Sequence, residues 1–296
     1  MRRMLFLYNL HAGKGQARAH LAAMLEQFTR AGWLVTARPT QGKGDAGEIA
    51  AELGGEFDRI VCCGGDGTLH EVVCGLMDRS ARPEVGYVPA GSTNDFAKNL
   101  SLPRSFTQMA AAAAAGVPRK CDIGRFNDTH FIYVAAFGAF TDVAYGTSQQ
   151  FKNLFGHLAY VVEGVARLPG LKSYSLTVEH DGGTLEGDFL YGMVSNTVSV
   201  GGFKAVTGYE VALDDGLFEV LLIRTPTKPA QVQSILRVLL QQGSDESGQV
   251  VSFRTARLRC TCPEPMPWTL DGEFGGAPQV AEIENCPSAL SIVYGK

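Results

Sequence analysis

Residues 60–76, IVCCGGDGTLHEVVCGL, constrain the fold more than any other stretch of this chain. A short apolar run leads into three glycines, and beyond them Leu69, Val72, Val73, Leu76 and Met77 repeat at helical spacing. The run fits a strand covered on both faces, and the repeat fits a helix starting at Thr68 and Leu69. Glycine loses more conformational freedom on folding than any other residue, so this bend is costly to order. Something must offset that cost, and the bend carries a carboxylate, Asp66, that needs a purpose.

The same strand, turn and helix signature recurs through the first 120 residues. Met4 to Tyr8 is an apolar run, followed by a glycine turn and a stripe of Ala17, Leu21, Met24, Leu25 and Phe28. WLVTARPT and DAGEIAAEL form a further strand and helix, VGYVPA a fourth strand, and the alanine run 110–115 lies in a closing helix. Such alternation predicts an α/β domain over 1–122: a doubly wound, parallel sheet with helices on both faces. After about Asp122 the chain turns β-rich in HFIYVAAFGAF, SYSLTVEHDGGTLEGDFLYGMVSNT, GLFEVLLIRT and VVSFRTARLRCTC, with Asp-Gly and Gly-Gly turn signals between strands. Helices interrupt this pattern near 151–167 and 228–241. The second domain, from 123, therefore reads as mainly antiparallel, a β-sandwich.

A length of 296 residues suits two domains, and 45% hydrophobic with 19% charged residues describes a globular chain, neither disordered nor fibrous. A net charge of -4 leaves no nucleic-acid footprint, so any anionic partner is held by a local site. The cysteines, Cys62, Cys63, Cys74, Cys121, Cys260, Cys262 and Cys286, are odd in number and lack C-x-x-C spacing, as expected of reduced thiols in a cytoplasm. The opening MRRMLFLYNLHAGKG imitates a signal peptide, but its apolar run soon meets Asn9, His11 and Lys14. FIYVAAFGAF falls far short of the roughly eighteen residues of a membrane span, so no transmembrane segment is expected.

Three strand-to-helix turns compete as anion cradles. NLHAGKGQA opens a helix, whose free amides favour an anion, yet it is not a Walker A loop: Tyr8 replaces the leading glycine and Gly15 the final hydroxyl residue. GGDGT brings bare backbone and a carboxylate to one place. Asp66 either caps the helix or, beside phosphate, requires a divalent cation between the two charges. PAGSTNDFAKNL again sets Gly, Ser, Thr and Asn after a strand. In a doubly wound sheet such turns converge on one crevice, so three in succession weigh more than any one. A fourth segment, GKGDAG at 42–47, matches G-x-G-x-x-G but follows the second strand, and reads as a flexible turn.

The segments NLHAGKG, GGDGTLHEVVCGL, PAGSTNDFAKNL, SNTVSVGGF, ALDDGLFEV and DGE, in this order over almost the whole chain, resemble the diacylglycerol kinase catalytic family. Within it the chain is similar to the soluble bacterial lipid kinases related to sphingosine and ceramide kinases. The resemblance implies an NAD-kinase-like N-terminal lobe, a β-sandwich to about residue 285, a cleft between them for ATP and a lipid headgroup, and a tail, 286–296, that returns to the first lobe. Asn9, Leu10, His11, Ala12, Gly13, Thr40, Gly64, Gly65, Asp66, Gly67, Thr68, Leu69, His70 and Thr93 resemble ATP-contacting positions. The Asp215 side chain with the Ala212 and Leu217 carbonyls resembles a structural Mg²⁺ loop. Glu273 matches the proposed general base, with Asp66 as its rival, and Asp271 beside it would orient Mg²⁺ or the loop. Two residues depart from the family pattern: Leu10 stands where proline is usual, and His70 where asparagine is common.

What the resemblance implies is an ATP- and Mg²⁺-dependent lipid kinase, with diacylglycerol the leading acceptor and phosphatidylglycerol or sphingoid bases open. The lipid acceptor would be reached at the membrane surface by a cytoplasmic protein, peripheral at the inner face. QFKNLFGHLAYVVEGVARL could touch a bilayer or bury against the sandwich. A homo-oligomer is left open, and nucleic acid is not an expected partner. The alternatives are an NAD kinase, which shares a GGDG element, and a non-catalytic nucleotide-binding regulator, supported by His70 alone. A dehydrogenase, suggested by GKGDAG, ranks last.

Overall fold

The computed structural model describes residues 1–13, 15–138, 172–197, 199–200, 203–204, 212–241 and 247–293. The chain forms two compact units. The first comprises Met1–Ile123, His130–Ile132 and Pro287–Lys296, and the second Gly124–Thr129 and Tyr133–Cys286.

In the first unit, β1 (Arg3–Tyr8), β2 (Leu34–Pro39), β3 (Arg59–Gly64) and β4 (Glu84–Pro89) run parallel in the order β2-β1-β3-β4. Tyr8 lies opposite Pro39 and Cys63, and Gly64 opposite Pro89, so the four strands end at one edge. Three helices connect them, α1 (Gln16–Arg30), α2 (Asp45–Leu53) and α3 (Asp66–Met77), and α4 (Phe106–Ala115) follows β4. Met4, Phe6, Val61 and Cys63 pack with Met24 and Phe28 of α1 and Met109 and Ala110 of α4. The alternate residues Leu5, Leu7, Ile60 and Cys62 are also fully buried. Both faces of β1 and β3 are therefore covered, which is why these two strands read as unbroken apolar runs.

α3 begins at Asp66, with Gly65 extended at its N-cap, two residues earlier than the stripe suggests. Asp66 and Gly67 add no apolar side chain to that stripe, so the start left no hydrophobic mark. The GKGDAG segment resolves as the entry to α2, where Gly44 has φ 89° and donates its N–H to Glu71 Oε1 at 2.8 Å. A Cβ on Gly75 of α3 would lie 2.2 Å from the Gly47 carbonyl oxygen, so the two helices touch backbone to backbone through glycine.

β5 (Pro118–Phe126) and β6 (Thr129–Phe131) each straddle the division between units. The second unit is the β-sandwich domain expected from the β-rich segments and turn signals beyond Asp122. It holds β7 (Val134–Gly138), β8 (Tyr174–His180) and β9 (Gly183–Ser195), then the separate pair β10 (Ser199–Val200) and β11 (Phe203–Lys204). β12 (Phe218–Arg224), β13 (Val250–Thr255), β14 (Arg257–Thr261), β15 (Trp268–Leu270) and β16 (Glu273–Phe274) follow. These strands pair antiparallel, with β12 between β9 and β13. The final strand, β17 (Val280–Val293), pairs antiparallel with β14, then enters the first unit at Pro287, where Ile292 and Val293 pair parallel with Val85 and Gly86.

α5 (Pro229–Gln241) is the helix expected near 228–241. The helix expected near 151–167, and the QFKNLFGHLAYVVEGVARL stretch, lie outside the described residues. All seven cysteines are free thiols. Among the described residues no helix is long and apolar enough to cross a membrane.

The backbone contact between α2 and α3 leaves no room for a methyl group. Gly75→Ala is expected to lower stability by about 1–3 kcal/mol, read as an earlier midpoint in urea unfolding. An unchanged midpoint would contradict so close an approach.

Candidate functional site

The turns that leave the common strand edge of the first unit are tied to one another. Asn9, after β1, donates its N–H to Cys63 O at 2.8 Å and its Nδ2 to Thr68 Oγ1 at 3.3 Å. Its Oδ1 accepts the His11 N–H at 2.9 Å, which closes the turn through Leu10. Ala12 and Gly13 follow. Gly13 has φ 57°, and a Cβ there would fall 2.4 Å from the Ala90 carbonyl oxygen, so the first turn rests on the third. Thr40, after β2, is buried and donates its N–H to Tyr8 O at 3.0 Å.

The second turn is Gly64–Gly65 and the start of α3. A Cβ on Gly64 would sit 2.6 Å from the Thr68 side chain, and one on Gly91 of the third turn 2.5 Å from the Gly65 Cα. Ala90 N–H bonds to Gly64 O at 2.8 Å. Asn94, at φ 50°, closes the third turn on itself: its Oδ1 accepts the Gly91 N–H and its Nδ2 donates to Gly91 O, both at 2.9 Å. Beneath both turns lies the fully buried Tyr87, whose hydroxyl is 3.3 Å from Gly64 O and 3.4 Å from Asn94 Oδ1. Burial, aided by the nearby Asp66 carboxylate, pushes that hydroxyl well above its ordinary pKa.

Asp66 completes the tie. Its Oδ2 accepts the Asp95 N–H at 3.0 Å and its Oδ1 the Phe96 N–H at 3.3 Å. It is the first residue of α3, one position past the Gly65 N-cap. Gly67 is half-buried, Thr93 is exposed, and Leu69 is fully buried with its N–H donated to Gly65 O. His70 Nε2 stands 3.6 Å from Cys74 Sγ, which also reaches the His130 carbonyl oxygen at 3.4 Å.

The second unit holds the remaining candidates, in two places. Asp271 sits at φ 51° and is almost fully buried; its Oδ1 accepts the Tyr133 N–H at 2.9 Å and the Val134 N–H at 3.1 Å. That clamp fixes the turn through Gly272, at φ 87°, and leaves Glu273 exposed at the head of β16. In the other, Asp215 Oδ1 accepts the Leu217 N–H at 3.0 Å, and its Oδ2 meets the Arg254 guanidinium. Arg254 Nε also lies 3.2 Å from Oε1 of Glu219, its partner across the β12–β13 pairing. Glu219 is fully buried, and that burial, opposed by Arg254, pushes its carboxyl up to about 7. Ala212 precedes this loop. Among the described residues no three His, Cys, Asp or Glu side chains gather as a metal site. A set of one carboxylate and two carbonyls, as at Ala212, Asp215 and Leu217, is not of that kind.

Tyr87, Asn94, Glu219 and Arg254 escaped the sequence reading. Tyr87 looks like one more apolar strand residue, Asn94 like an ordinary turn residue, and Arg254 is 35 positions from the glutamate it meets.

Comparison with known proteins places these turns in a family. Residues 3–126 match the model of the diacylglycerol kinase catalytic domain, and residues 136–294 that of the YegS C-terminal NAD kinase beta sandwich-like domain. A diacylglycerol kinase of Bacillus subtilis is 36% identical over 281 residues, covering 93% of this chain and 91% of that one. One of Staphylococcus carnosus is 31% identical over 276 residues, covering 93% and 90%. A crystal structure of a diacylglycerol kinase from Bacillus anthracis superposes with a TM-score of 0.77 at 19% identity, covering 99% and 97%, and so shares the fold.

The two acidic residues of the DGE turn have separable roles. Asp271→Ala leaves two buried amides without an acceptor and is expected to cost roughly 2–3 kcal/mol in urea unfolding, whereas Glu273→Gln should leave stability within about 0.5 kcal/mol of wild type. Equal losses would contradict that division.

Proposed function

The chain belongs to the diacylglycerol kinase family, and from that premise we propose that it transfers the γ-phosphoryl group of ATP to a lipid hydroxyl, with diacylglycerol as acceptor and phosphatidic acid as product. The observation that carries the nucleotide half is the gathering of the turns after β1, β3 and β4 at one strand edge, packed through Gly13, Gly65 and Gly91. Bare backbone at such turns suits close approach by a polyphosphate. The backbone from Asn9 to Gly13 and from Gly64 to Thr68, with Thr40 and Thr93 at the margin, would hold the nucleotide.

The donor set is compatible with Mg²⁺. Asp66 and the Asp215 loop offer oxygen ligands alone, as a hard cation prefers. Asp66 would serve the nucleotide's Mg²⁺, and Ala212, Asp215 and Leu217 a structural one. Mg²⁺ supplies charge neutralisation at the phosphate oxygens.

Glu273 is the better proton acceptor of the two candidates. It is exposed on a turn that Asp271 holds rigid, while Asp66 is tied to the Asp95 and Phe96 amides and assigned to the nucleotide's Mg²⁺. The acceptor hydroxyl gives its proton to the Glu273 carboxylate as its oxygen bonds to Pγ. The bond from Pγ to the β–γ bridging oxygen breaks, and ADP leaves. Catalysis otherwise rests on positioning and charge stabilisation.

Purified protein with Mg²⁺-ATP should convert diacylglycerol in mixed micelles to phosphatidic acid, in a panel that includes phosphatidylglycerol and sphingosine. Glu273→Gln should lower kcat by about 10²–10⁴-fold. Clear turnover of NAD with no lipid phosphorylated would overturn this proposal in favour of the NAD kinase alternative, to which the likeness of the C-terminal domain also points.

A further inference from the structure

The 3-10 turn Phe96–Asn99 follows directly on the third glycine turn and carries Lys98. Lys98 Nζ lies 2.5 Å from Asp95 Oδ1; the Asp95 side chain is 9% exposed and that of Lys98 43%. Asp95 in turn donates its N–H to Asp66 Oδ2. A continuous series of contacts thus runs from the carboxylate of the second turn, through the backbone and side chain of Asp95, to an ammonium that remains open to solvent.

Electrostatics give that ammonium a purpose. Asp66 and Asp95 both push the Tyr87 hydroxyl toward a higher pKa, so both carboxylates act on the ground beneath the second and third turns. A polyphosphate brought against these turns meets two negative charges, and cations must offset them. Lys98 is built into the same loop. An ammonium has three donors and no acceptor, so the contact with Asp95 leaves two donors for a ligand. An ordinary exposed pair three residues apart holds neither partner in place. Here the acid is buried and its backbone is bonded to Asp66, so Asp95 restrains where Lys98 can reach.

We propose that Lys98, positioned by Asp95, binds the terminal phosphate of the nucleotide triphosphate. This inference rests on the nucleotide half of the proposed function. It assigns Asp95 as a positioning residue and makes Lys98 the cation that distinguishes a triphosphate from a diphosphate.

Titration calorimetry with a non-hydrolysable ATP analogue and with ADP tests it on wild type, Lys98→Met and Lys98→Arg, with thermal unfolding recorded for each. Lys98→Met should bind the analogue about 10–100-fold more weakly, as fits loss of a charge-assisted contact, and ADP within about 3-fold of wild type. Lys98→Arg should recover most of the affinity for the analogue, and all three proteins should unfold at similar temperatures. Unchanged binding of the analogue by Lys98→Met, or equal weakening of both nucleotides, would overturn the inference while leaving the nucleotide reading intact. A wild-type chain that binds neither nucleotide would overturn both.

Discussion

Asp66 accepts the amides of Asp95 and Phe96 at 3.0 and 3.3 Å, and the shape of the strand edge in the first unit depends on that tie. Hydrogen bonds to a charged group are worth roughly 1.5–3 kcal/mol each, enough to hold a loop whose ordering costs about 1–2 kcal/mol per residue only if other contacts share the load. They do. Asn94 closes the turn on Gly91, Ala90 bonds to Gly64, and Asn9 reaches Thr68 from the first turn. Each bond joins two turns or closes one, so a charge at position 66 fixes backbone some thirty residues away.

The glycines of residues 60–76 acquire a double explanation. A ligand is not the only thing that can offset their cost. Gly64 makes room for the Thr68 side chain, Gly65 for Gly91, and Gly75 for the carbonyl of Gly47. Packing of turn on turn and helix on helix thus accounts for several of them before any ligand arrives. The same contacts leave the strand edge lined by backbone, which is the surface a phosphate can approach.

β1 and β3 were legible because burial on both faces leaves no polar residue to interrupt them: Met4 to Leu7 and Ile60 to Cys63 are all fully buried. Helix α1 declared itself by spacing, and α3 did so only from its first apolar residues, since Asp66 and Gly67 carry no hydrophobic signal. The motif residues were legible as types rather than as partners. Nothing in GGDGT says that its carboxylate bonds to the backbone of NDF, and nothing in DGE says that Asp271 clamps Tyr133 and Val134 while Glu273 stays exposed. Long-range pairs such as Arg254 with Glu219, or the Tyr87 hydroxyl with Asn94, depend on tertiary register and leave no local pattern. Family resemblance located the candidate positions, and geometry supplied their contacts.

Amide hydrogen exchange at Asp95 and Phe96, compared between wild type and Asp66→Ala, tests the tie most directly. Both amides should be protected in the wild-type chain and should exchange at least about tenfold faster in the variant, as loss of a bond to a charged acceptor implies. The amides of β1 and β3 should keep their protection. Equal exchange at Asp95 and Phe96 in the two proteins would show that Asp66 does not hold the third turn.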